Sequence, residues 1–113
     1  MKVLIIEPGQ APKPVEIENS LEAEQAVVGG LIEVVSPPNH PDDAVLICNE
    51  EGKLLNLEMN RMICLEDGTP YDIICGPFII CRAPVDSDEF EGLTDSQIET
   101  YSKMYSRERR NLC

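Results

Sequence analysis

The apolar runs of this chain are short, and most are cut by a dipeptide that reverses the backbone. KVLIIE ends at Pro8-Gly9, AVLICN runs into Glu51-Gly52 and MICLE into Asp67-Gly68. Glycine supplies the positive φ that tight turns demand, and joints this brief connect antiparallel neighbours, because a parallel crossover needs roughly a dozen residues. The punctuation therefore predicts an α+β fold: a mainly antiparallel sheet of five to six strands with two helices, at about 20–28 and 95–108.

KVLIIEP reads as a buried first strand. Val15, Glu16, Ile17 and Glu18 alternate with period two, so a second strand with one wet face is expected to hairpin onto it. Asn19 is expected to cap the first helix, with Glu22 reaching back to its amide, and SLEAEQAVV supplies about two turns. Gly29 then falls where such a helix must stop, and Gly30 lets the chain reverse into LIEVVS. A phosphate cradle needs glycines ahead of a helix, and these follow one, so the pair reads as a corner.

AVLICNEEGKLLNLEMN is expected to form two strands in a tight hairpin with positive φ at Gly52. IICGPFIICR reads as one strand interrupted at Gly76-Pro77, where the missing donor marks a bulge or an edge. Residues 84–94 carry acids and no base and read as a linker or flexible loop inside a single domain, 1–113. Thr94 and Gln97 form a capping signature for the last helix. Ile98, Tyr101 and Tyr105 give that helix a docking face, and Arg107, Arg109 and Arg110 complement its dipole.

Bulk properties exclude several classes of function. The chain has 113 residues, 42% of them hydrophobic and none of them Trp, enough for one aliphatic core with few platforms for stacking bases. Its net charge of −12 repels nucleic acid and anionic membranes. No apolar run approaches the roughly 18 residues of a membrane helix, and MKVLIIEPG is too short for a secretory signal, so a cytoplasmic location is expected. The five cysteines, at 48, 64, 75, 81 and 113, form no CxxC pair and read as reduced, metal-free small hydrophobes. His40, in the loop SPPNHPDD, is expected at the surface.

No GxSxG turn, HExxH helix or Cys-His constellation is present, so no catalytic residue, metal or cofactor is assigned, and an enzyme is the least favoured reading. The residues singled out for binding are polar groups at turns within apolar surroundings: Asn49, Glu50, Asn60, Arg61 and Asp72. Asparagines 49 and 60 either line a pocket or bond their own turn backbones. Arg61 and Lys53 are the only bases between residues 42 and 80, among eight acids, so Arg61 is either an internal ion-pair partner or an anion contact. Asp86, Asp88, Glu89 and Glu91 form the densest acidic surface.

MKVLIIEPG, VVGGLIEVV, CNEEGKLLNLEMNR, YDIICGPFIIC and TDSQIETY, in that order and spacing, resemble a family of small acidic domains of unknown function found in bacteriophages, integrative mobile elements and their bacterial hosts. The resemblance implies a phage or mobile-element setting and no established activity. Together with the charge, it leads to the expectation of a non-enzymatic protein that binds a host macromolecule, a host protein first of all, through its acidic surface. Direct nucleic-acid or membrane partners are not expected, and the reading leaves room for a homo-oligomer. A binder or sponge for a small anionic ligand, with its pocket near Arg61, is the alternative, and a minor enzyme is the second.

Overall fold

The computed structural model describes residues 1–106. The three arginines assigned to the dipole of the last helix lie outside them. Along the chain run β1 (Lys2–Ile6), β2 (Lys13–Glu16), α1 (Leu21–Val28), β3 (Ile32–Val35), β4 (Ala44–Asn49), β5 (Met59–Cys64), β6 (Pro70–Cys75), β7 (Phe78–Arg82) and α2 (Asp95–Met104). Five strands form an antiparallel sheet in the order β2-β1-β7-β4-β3, and β5 and β6 pair in a separate two-stranded sheet. The fold is α+β with antiparallel sheets, as the turn chemistry requires.

Both faces of the larger sheet are covered, which explains why β4 and β7 are apolar almost throughout instead of alternating. Val3, Val45, Ile47, Ile79 and Cys81 pack on one side with Val28 of α1. Leu4, Ile6, Leu46, Phe78 and Ile80 pack on the other with Ile63 and Ile74 of the small sheet and Tyr101 and Tyr105 at the end of the chain's second helix. That helix therefore lies on the face opposite α1. Its entry is the expected capping box: Gln97 N–H donates to Thr94 Oγ1 at 3.1 Å, and Thr94 N–H donates to Gln97 Oε1 at 3.0 Å.

Several local expectations give way to tertiary demands. Ser20, not Asn19, caps α1, its hydroxyl accepting from Ala23 N–H at 3.2 Å. Asn19 is drawn off instead to donate to the Phe90 carbonyl at 2.8 Å. Gly29 does close the helix in the left-handed region, φ 82°, its N–H donating to Gln25 O at 2.8 Å. The expected hairpin at Gly52 does not form, because both edges of β4 are already paired, to β3 and β7. The chain passes through turns to the second sheet, and positive φ falls on Asn56, not Gly52. Gly52 is needed for closeness, since a Cβ there would stand 2.7 Å from the Cys75 carbonyl oxygen.

Gly76, φ 82°, turns the chain from β6 in the small sheet to β7 at the centre of the large one, so Gly76-Pro77 is a corner between sheets and not a bulge or edge within one strand. The 84–94 segment is fastened rather than loose. Arg82 and Glu91 exchange both backbone hydrogen bonds, at 2.8 and 2.9 Å, and Leu93 is buried. Cys48, Cys75 and Cys81 are free thiols, as expected, but Cys64 is disulfide-bonded. Sequence spacing tests only local pairs, and a pairing made by tertiary contact leaves no trace in it.

Candidate functional site

Of the five polar residues singled out for binding, two are interior. Asn60 is wholly buried in β5, and its Nδ2 donates to the carbonyls of Ile6 and Gly76, each at 2.8 Å. It joins the end of β1 to the corner between the sheets and does not serve its own turn. Arg61 is 1% exposed. Its Nε donates to Tyr105 O at 3.0 Å, Nη1 to Asn60 O and Oδ1 at 3.0 and 2.7 Å, and Nη2 to Gln10 O. The guanidinium thus ties the β1–β2 loop, β5 and the end of α2 together through carbonyl oxygens.

The other three meet at a cleft of about 260 Å³ between the sheets, which Asn49, Glu50 and Asp72 share with Glu33, Cys48 and Lys53. Asn49 donates to Val28 O at 3.1 Å and accepts from Glu51 N–H at 2.8 Å, so it bonds its own turn and the end of α1 at once. Lys53 reaches Asp72 at 2.6 Å. Burial raises the Asp72 carboxyl, but the hydrogen bonds from Lys53 and the Ile73 amide outweigh it and leave its pKa below the usual range. The Cys48 thiol is pushed up to about 11 by burial and by Glu33, which keeps it protonated and a poor nucleophile at neutral pH. The cleft's one ammonium is therefore already committed to Asp72.

His40 is not a free surface imidazole. Nδ1 lies 2.8 Å from Ala44 O and so carries the proton, leaving Nε2 to accept from the Tyr105 hydroxyl at 2.7 Å. The ring packs against Tyr101 with centroids 4.4 Å apart, and burial lowers its pKa against the opposing effects of Ala44 and Asp42. Asp42 accepts from the Tyr101 hydroxyl and the Ala44 amide. The SPPNHPDD loop becomes a clamp on α2. The tyrosines recurring at helical spacing were the only trace of it in the sequence.

The acidic surface takes a definite form. Asp86, Asp88, Glu89 and Glu91 are all exposed, and Glu91 lies 3.6 Å from Arg82. The hydrogen bond from Asn19 to Phe90 brings this loop against the start of α1. Between them lies a cleft of about 270 Å³ to which Leu21, Glu24, Ala83, Asp88, Glu89 and Phe90 contribute. Glu24, unremarked in the sequence, is 4% exposed. Its place one turn before Val28, on the helix face that packs on the sheet, is the signal that could have found it.

The architecture defines a two-sheet α+β domain whose larger sheet is buried on both faces. The sequence profile of a domain of unknown function, DUF3846, matches residues 1–106, and the chain belongs to that family. No curated protein and no solved structure matches it. Among the described residues no helix is long and apolar enough to cross a membrane.

Proposed function

We propose that this chain is a non-enzymatic binding protein of phage or mobile-element type that works in the cytoplasm of the host cell. It engages a basic patch on a host protein through the acidic surface formed by the start of α1 and the 86–91 loop. The observation that supports this reading most is the joining of two stretches without lysine or arginine, 14–52 and 83–102, by the bond from Asn19 to Phe90. That contact brings the exposed Asp88 and Glu89 against the start of α1. Of the acids at 42–72, Asp43 pairs with Arg82 at 3.2 Å and Asp72 with Lys53. Concentrated like charge speeds encounter with a basic partner, and it does so in a salt-dependent way.

An anionic ligand at Arg61 would have to displace the carbonyls of Gln10, Asn60 and Tyr105, and no observation favours it. The test is capture from host lysate, followed by mass spectrometry. The chain is compared with a variant carrying D86N, D88N, E89Q and E91Q, at 0.1 and 1 M salt, where the screening length falls from about 10 to about 3 Å. Partners held at low salt and lost from both the variant and the high-salt sample support the proposal. Capture that survives both treatments refutes it.

A further inference from the structure

Among the described residues Glu24 is the one buried acid, and none of them pairs with it. Its carboxylate makes no hydrogen bond and no ion pair among the described residues, and burial alone raises its pKa, with no donor or cation contributing. The carboxylate oxygens are not sealed off, since Asn39 Oδ1 is the buried side-chain atom left without a partner among the described residues, so Glu24 is reached from the cleft it lines, and a cation arriving there with a ligand would meet a carboxylate that those residues leave unpaired. The cleft it lines supplies the rest of a cation site. Asp88 and Glu89 stand at it, no base contributes to it, and Leu21, Ala83 and Phe90 give it apolar walls. A hydrated metal ion is poorly served, since among the described residues no three His, Cys, Asp or Glu side chains are grouped to hold one. An apolar wall, an aromatic ring and a sunken carboxylate suit a charged head on a hydrocarbon stem.

We infer that the cleft between α1 and the 84–91 loop binds an alkylammonium or guanidinium group, with Glu24 as its deep counter-ion and Asp88 and Glu89 at its rim. This rests on the acidic-surface reading for its natural source, a lysine or arginine side chain of the basic partner. A free polyamine offers the same chemistry.

The test is an NMR titration of the full chain with n-butylammonium, Nα-acetyl-lysine methylamide and spermidine, and with n-butanol as the uncharged control. The expected result is saturable shifts at the amides of Ser20, Glu24 and residues 87–90 with the amines and none with butanol, and affinity at least tenfold weaker in E24Q. The folded state of E24Q is checked by its melting temperature, and E24L, which fills the site with hydrocarbon, provides a second variant that should abolish binding. Tighter binding of spermidine than of the lysine amide assigns the site to free polyamines; the reverse order assigns it to a protein side chain. Butanol binding as well as butylammonium, or E24Q binding amines unchanged, overturns the inference. The two readings fail separately: amine binding at Glu24 without salt-sensitive protein capture leaves the site and removes the protein partner. Salt-sensitive capture that E24Q does not weaken leaves the surface and removes the site.

Discussion

Arg61 and Glu24 are both charged, both almost wholly buried and both on regular secondary structure, yet they stand in opposite states. Arg61 directs its donors at four oxygens from the loop after β1, its own strand and the end of α2. Glu24 has no such partner among the described residues. Burial by itself therefore does not mark a site; the accounting of partners does. A buried charge that the fold satisfies is a structural tie, and one that the fold leaves open calls for a ligand or a proton.

The comparison breaks most sharply at Arg61. R61M keeps the side chain's bulk and leaves the buried carbonyls of Asn60 and Tyr105 and the part-buried carbonyl of Gln10 without this donor, so a loss of about 3 kcal/mol or more is expected, measured by urea unfolding. A loss below about 1 kcal/mol would mean that water replaces the guanidinium and that the interior there is open.

A smaller effect is expected at His40, and its sign is opposite to that of Glu24. The folded pKa of His40 lies below 6.5, because burial disfavours the cation, so the unfolded chain binds the proton more readily. His40 should therefore lower stability as pH falls through 6.5 toward the folded value, loosening the tyrosines of α2. Asp42 and Tyr101 and Tyr105 are the titratable groups that face it. In H40Q the melting temperature should change less between pH 7 and pH 5 than in the natural chain. An equal slope in both would place the acid sensitivity elsewhere.

The smallest effect, and the one of unusual direction, is expected at Glu24. Its folded pKa is raised, so stability falls as pH rises from the unfolded value of 4.5 through the folded one. E24L should stabilise the protein at pH 7, by about 1 kcal/mol or a few degrees in melting temperature, and the gain should shrink at pH 4. Destabilisation by E24L at pH 7 would show that the carboxylate is held by contacts of its own.

The antiparallel fold class was legible in Pro8-Gly9 and Asp67-Gly68, and the two helices were legible in Gly29 and in the Thr94–Gln97 capping box, because turn and cap chemistry is local. The split into two sheets was not legible. Gly52 and Gly76 look like a hairpin and an interruption until one knows that β4 has no free edge and that β7 belongs between β1 and β4. The site followed the same division. The acids of the 86–91 loop stood out by composition, whereas Glu24 looked like one more solvated helix acid among many until its place one turn before Val28 is seen to set it on the face that packs on the sheet. Asn49 and Asn60 show how far residue type alone reaches: both bond backbone, but only Asn49 bonds its own turn.

The central claim, that Glu24 is a buried carboxylate awaiting a cation, is tested most directly by following the Glu24 side-chain carboxyl by ¹³C NMR as a function of pH, with and without saturating n-butylammonium. The account predicts a midpoint above 4.5 in the free protein and a fall when the amine is present, because a bound cation favours the ionised form. A midpoint that the amine leaves unmoved would contradict it.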